Sequence, residues 1–200
     1  MTYQFQRLAP ALIFILLMAS CAGERSSNLE RLVHEYIDAC NLHDLETLRG
    51  MLTDDVVWYL GADTLVGKDQ VLGPLAYDEA INTYLEGSNM VVKGDTVEFE
   101  LLEKNDVLTV LKIDELRHFP RFIFKEGLIL EKASRKTYAR AQELEEQIAA
   151  FREWLGENHP DDLARLEAPD GSLIYSSDNG YLVVKLLKIW AAEKQSEYRE

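Results

Sequence analysis

Two hundred residues, 47% of them hydrophobic and 28% charged, suffice for one domain with a full core and are too rich in apolar side chains for a disordered chain. A formal net charge of −14 excludes nucleic acid as an expected partner and excludes electrostatic adhesion to anionic lipid, since both need clustered Lys and Arg. Two cysteines, Cys21 and Cys40, make no disulfide framework.

Residues 1–20 differ in kind from the rest. Arg7 precedes LAPALIFILLMAS, an apolar run short for a bilayer span and interrupted by Pro10, which is the composition of a signal peptide. The run ends in Met18, Ala19, Ser20 and Cys21, which resembles a bacterial lipobox with Met18 where leucine is usual. An ordinary secretory signal cut elsewhere, or a short retained anchor, is the alternative. The lipobox reading implies a mature chain that begins at an acylated Cys21, held to the membrane by several acyl chains together. Cleavage removes Arg7 and no acidic residue, so −14 becomes −15. Residues 22–27 then form a polar tether. Ala22 after the cysteine, in place of aspartate, implies the periplasmic side of the outer membrane in a Gram-negative host.

The next stretch reads helix, helix, strand. Leu29, Leu32, Val33, Tyr36, Ile37 and Cys40 fall on one stripe of a helix. Asp44 is placed to cap a second helix with Leu45, Leu48 and Leu52 on its inner face. After Asp54 and Asp55 the period becomes two, through Val56, Val57, Trp58, Tyr59 and Leu60 to Gly61. A third helix after Gly67 contains Gly73 and Pro74, so it is expected to kink, or to start a turn later with Pro74 near its first position.

A hairpin is expected from about Asn82 to Val92 and from Thr96 to Glu103, around Lys93, Gly94 and Asp95. Residues 105–112 suit a short helix capped by Asn105, although Val107, Thr109 and Val110 favour strand; the helix is the expectation. Leu116 to Phe124 and Leu128 to Lys132 read as two further strands around Lys125, Glu126 and Gly127. The last third reads as helical: a stripe of Ala141, Leu144, Ile148, Phe151 and Leu155, a short helix from Pro160 to Leu166, a turn at Asp170-Gly171, and a final helix capped by Ser177 or Asp178. No Gly-, Ser- or Pro-rich linker divides the chain, so its apolar faces are expected to pack on the preceding sheet.

The string NLHDLETLRGMLTDDVVWYL followed by VGKDQV resembles the opening of the nuclear transport factor 2-like superfamily, which includes SnoaL-like polyketide cyclases and ketosteroid isomerases. The residues that carry the resemblance are Asn41, His43, Asp44, Leu45, Asp54, Asp55, Gly67, Lys68 and Asp69, and it covers roughly Leu29 to Ala133. It implies an α+β cone, a strongly curved antiparallel sheet wrapped around helices, here with an α-helical C-terminal extension. The expected organisation is a signal peptide at 1–20, a tether at 21–27, the cone at 28–134 and the helical extension at 135–200.

The same resemblance places Tyr36 where the isomerases hold an oxyanion-donating tyrosine and places Leu60 where they hold the catalytic aspartate; a hydrocarbon cannot accept a proton. A second oxyanion donor falls near Phe119, where His118 could stand in. Val56, Trp58 and Leu60 share the face that the family's geometry turns into the cavity, so the pocket is expected to be apolar and bounded by Tyr36, Trp58, Leu60 and His118. Tyr36 on its apolar stripe and Trp58 on its strand face read first as core filler, and Cys40 reads as a small buried hydrophobe. His34 and Asp38 read as a solvated helix face, and the four histidines make no metal-ligand spacing, so no metal or cofactor is expected. Three functions remain: a lipid-anchored module binding an apolar small molecule or lipid without catalysis, an isomerase, cyclase or dehydratase, and a structural or interaction protein with a filled cavity that engages a partner, a second copy in a homodimer included.

Overall fold

The computed structural model describes residues 26–61, 63–138 and 141–197. The signal segment, Cys21 and most of the expected tether lie outside them. Ser26 and Ser27 already belong to the first helix, α1 (residues 26–41), so the tether as read from sequence runs two residues too far.

After α1 come α2 (Leu45–Gly50), β1 (Leu52–Leu60), β2 (Asp63–Val66), α3 (Lys68–Ala80), β3 (Tyr84–Lys93), β4 (Thr96–Lys104), α4 (Asp106–Val110), β5 (Leu116–Lys125) and β6 (Leu128–Tyr138). The chain ends with α5 (Ala141–Asn158), α6 (Pro160–Leu166) and α7 (Ser177–Glu197). One six-stranded sheet runs β2-β1-β6-β5-β4-β3, antiparallel except where β1 lies parallel to β6. The fold is the expected α+β cone: a curved, unclosed sheet with α1 in its concavity.

Bulges supply the curvature. β3 gains a residue on β4 between Ser88 and Val91, where Asn89 has φ of +52°. β6 gains one on β5 between Ile129 and Glu131, and another between Ser134 and Thr137 opposite Pro120. Pro120, which cannot donate to a ladder, is thus accommodated at a break in the pairing. The turn between β5 and β6 is two residues, Glu126 and Gly127, both at positive φ as the twist of a tight hairpin requires.

Among the described residues there are two hydrophobic cores. The first lies inside the cone and joins Val33, Tyr36 and Ile37 of α1 to Val56 and Trp58 of β1, Val97 and Phe99 of β4, and Phe122 and Phe124 of β5. The second lies outside it, where Val183, Leu186, Leu187 and Trp190 of α7 meet Tyr77 of α3, Leu108 of α4, and Phe151 and Leu155 of α5. Residues of α3 serve both, Val71 and Leu75 the first and Tyr77 the second, so that helix is the wall between them.

Several boundaries differ from the sequence expectations for identifiable reasons. α3 starts at Lys68 and includes Pro74, because Gly67, at φ +84°, donates its N–H to Val56 O at 2.8 Å and sets the first turn. Strand β2 is additional: Asp63 to Val66 pairs back on β1 from Leu60 to Val57. β6 continues to Tyr138, so the expected boundary at 134/135 falls within a strand. The first turn of α7 is capped by Ser176, whose Oγ accepts from Asn179 N at 3.2 Å, while the Ser177 hydroxyl donates to Ala76 O on α3 at 3.1 Å.

Candidate functional site

Strand register builds the inner face of the cone. Trp58 of β1 lies beside Lys132 of β6, Lys132 beside Phe122 of β5, Phe122 beside Val97 of β4, and Val97 beside Val92 of β3, one row across five strands. Four members are apolar and the one between Trp58 and Phe122 is a lysine. The next inner positions place His118 beside Leu101 and Leu101 beside Gly87. A Cβ on Gly87 would lie 2.4 Å from Ile37 Cδ1, so the missing side chain is what lets α1 settle into the sheet.

Lys132 reaches inward to the aromatic side chains. Its Nζ lies 3.5 Å from the centroid of the Trp58 ring and donates a hydrogen bond to Tyr36 Oη at 3.0 Å. Tyr36 in turn meets Phe122 edge-on, ring centroids 5.1 Å apart, and Phe122 meets Phe99 in the same way at 5.1 Å. An ammonium over an indole face gains electrostatically from the ring quadrupole, and that gain grows as water is excluded. The Cys40 side chain, one helical turn on, acts electrostatically on the Tyr36 hydroxyl. The hydroxyl accepts from nitrogen and keeps its own proton to donate.

Acidic groups complete the cluster. Asp78 on α3 is pushed up to about 7, first by burial and then by the Glu103 carboxylate, with Lys132 and His118 pulling the other way. Glu103 Oε2 lies 2.8 Å from His118 Nε2, and its Oε1 accepts from Asn105 Nδ2 at 2.7 Å. Burial pulls the Lys132 ammonium below its ordinary range against the attraction of Cys40, Asp78 and Glu103. Burial also pushes the Cys40 thiol up to about 12 and holds the Tyr36 hydroxyl well above its ordinary range, so both stay protonated.

The interior is not fully sealed. Lys132, Leu60, Leu101, His118, Glu103 and Asp78 each keep part of their surface accessible, whereas Tyr36, Trp58 and Phe122 are buried. The aromatic rings form the floor, and of the polar side chains His118 and Glu103 stay partly exposed while Lys132 and Asp78 are deeply set.

Of the residues singled out from sequence, Tyr36 and Trp58 are brought together, with Lys132 between them. His118 joins through Glu103 and Asp78. Leu60 packs at the edge of the first core and takes no part in the charged cluster. The expectation of an apolar pocket is corrected, because an ammonium lies on Trp58 itself. Lys132, Asp78 and Glu103 are the residues sequence reading missed. Alternation from buried Ile129 turns Lys132 outward; the extra residue on β6 between Ile129 and Glu131 reverses that parity.

The residues of the resembling motif are structural ties. Asn41 donates from Nδ2 to Leu85 O at 2.9 Å and accepts from Leu85 N at 2.7 Å, fastening α1 to β3. Asp44 caps α2 by accepting from Thr47 N at 2.9 Å. Lys68 pairs with Asp54 at 2.9 Å, and Asp69 with Arg49 at 2.8 Å.

Neither a family model nor a curated protein sequence matches the chain. Solved structures similar to it include a protein of Sinorhizobium meliloti provisionally assigned as a polyketide cyclase, 20% identical, TM-score 0.49, spanning 55% of this chain and 98% of that one. A nuclear transport factor 2-like protein of unknown function from Cytophaga hutchinsonii is 13% identical, TM-score 0.47, over 57% of this chain and 93% of that one. An epoxide hydrolase of the LEH-like type from M. tuberculosis is 16% identical, TM-score 0.46, over 54% of this chain and 81% of that one.

Proposed function

We propose that the cone interior is a small-molecule site, on a protein anchored in a bacterial cell envelope through acyl chains on Cys21, and that its ligand is apolar with one oxygen-bearing group. The observation that carries the reading is Lys132 Nζ, held over Trp58 with one hydrogen bond, to Tyr36, among the described residues. An ammonium has three donors, and among the described residues Tyr36 takes one, so a ligand oxygen can take another. The body of the ligand lies against Trp58 and Leu60, as in pockets whose apolar lining carries a few convergent polar groups.

Octanol is a suitable first probe. Its binding is followed through Trp58 emission in the full chain, with Trp58→Phe as the control for Trp154 and Trp190. Saturable binding that weakens about tenfold in Lys132→Met is expected, the loss of one hydrogen bond to a charged group. A Trp58 signal that stays flat as octanol rises would sink the reading.

A second reading, acid–base catalysis, is favoured by Asp78. Leu60 leaves the position implied for a base empty, but a carboxyl pushed to about 7 can take and return a proton at neutral pH. Under that reading Asp78→Asn abolishes turnover and leaves octanol binding intact.

A further inference from the structure

We propose that Lys132 is an amine nucleophile, and that the cone condenses it with the carbonyl carbon of an apolar aldehyde or ketone to form an iminium. The inference rests on the cone interior being a small-molecule site and adds the chemistry of what enters it.

Three features of the geometry favour it. Lys132 is fixed in place: its Nζ lies over Trp58 at 3.5 Å, 3.0 Å from Tyr36 Oη and 5.9 Å from the Phe122 ring, so the nitrogen is delivered in one orientation. It sits in an apolar row, between Trp58 and Phe122, where a hydrocarbon substrate would bring its carbonyl to the only cation of that row. The nitrogen also hydrogen-bonds a hydroxyl that can pass a proton. A desolvated lysine beside aromatic walls is the usual way for an amine to become nucleophilic at neutral pH, and burial acts on Lys132 in that direction. Cys40, the other nucleophile in the cluster, is held as a thiol.

The step balances as follows. The ammonium loses a proton, relayed by water to the Asp78 carboxylate, and becomes a neutral amine. The nitrogen lone pair forms the bond to the carbonyl carbon while the C=O π pair moves to oxygen. Tyr36 accepts a proton from nitrogen as it gives its own to that oxygen, so the phenol never carries the charge its surroundings oppose. Asp78, protonated in the first step, supplies the proton with which oxygen leaves as water, and the nitrogen lone pair closes the C=N bond. One carbonyl and one ammonium give one iminium and one water, and no oxidant or reductant is consumed. The amine is hydrogen-bonded by Tyr36 and tuned by Cys40 from α1, Asp78 from α3 and Glu103 from β4, while His118 from β5 acts on Asp78.

Octanal with cyanoborohydride tests this on the full chain, since the reductant traps an iminium as a stable octyl amine that peptide mapping can place. Lys132 is expected to label about tenfold faster at pH 7 than exposed Lys125 and Lys188, as a desolvated, oriented amine should. Excess octanol is expected to protect Lys132 and leave the exposed lysines unaffected. Tyr36→Phe should slow labelling at Lys132 alone, and Lys132→Arg should yield no adduct in the cone. Octanol binding with Lys132 labelled no faster than Lys125 would overturn the nucleophile and leave the small-molecule site standing. Failure of both octanol binding and octanal labelling would remove the site and the nucleophile together.

Discussion

Lys132 and Trp58 are neighbours in register on β6 and β1, and the lysine ammonium rests 3.5 Å above the indole. That ammonium is also a counter-charge for Asp78, so its value to the fold depends on whether Asp78 is ionised. Lys132→Met replaces it with a chain of similar length. At pH 5, where Asp78 is protonated, the substitution is expected to cost less than about 1 kcal/mol, since exchanging a buried charge for hydrocarbon is often neutral. At pH 8 the carboxylate is left without its cation and the cost is expected to rise. Urea melts at the two pH values check this; equal losses would show that Lys132 and Asp78 do not interact.

Asp78 gives a second pH signature. Its carboxyl is raised from the ordinary range near 4 to about 7, so between those values the folded protein holds a proton that the unfolded chain has released. Folding therefore takes up a proton, and stability falls as pH rises through that window, by up to about 1.4 kcal/mol per pH unit from this group. Asp78→Asn should flatten the dependence and be more stable than wild type at pH 8. A variant with the wild-type slope would locate the proton elsewhere.

Most of the fold was legible because each element carried its own signal. Asp44 and Asn105 both cap the helices expected of them, accepting from Thr47 N and Leu108 N. The period-two face of Val56 and Trp58 is buried while Tyr59 is exposed. The site was half legible. Tyr36 and Trp58 stood on readable faces, but Lys132 points inward only because β6 carries a bulge, and a bulge has no period to read. Asp78 and Glu103 are close through tertiary folding, one on a helix and one on a strand 25 residues on, and nothing local marks the pair.

Asn41 should matter for stability and not for chemistry. Its amide makes a two-way hydrogen bond with the Leu85 backbone, in the manner of a strand partner supplied by a helix end. Asn41→Ala leaves one N–H and one C=O of β3 unpaired at a partly buried place, with an expected loss of about 1–3 kcal/mol. Octanol affinity at the cone should be unchanged once the variant is folded. Denaturant melts and Trp58 titration separate the two effects, and a weakened affinity in a fully folded variant would give Asn41 a role in the site.

The helical extension and the cone are expected to unfold together, and Gly180 is where that can be tested. A Cβ built there would lie 2.6 Å from Ala80 Cβ and 3.1 Å from Tyr77 O, closer than real methyl contacts allow, so α7 crosses α3 at a distance only glycine permits. Gly180→Ala must push α7 off α3, at an expected cost of about 1–3 kcal/mol despite alanine's better helix propensity. Behind that crossing lie Leu187 and Leu186, both almost wholly buried in the second core, so the displacement is felt along the whole of α7. Adding Ala80→Gly removes the methyl at the closest point and should recover part of the loss, though not all, because the Tyr77 carbonyl stays in place and glycine weakens the end of α3. If α7 is integral, the emission of Trp58 inside the cone and of Trp190 on α7 should report one shared transition in wild type and a lower, still shared, one in Gly180→Ala. Two separate transitions, with Trp58 melting where it does in wild type, would show that the extension unfolds on its own.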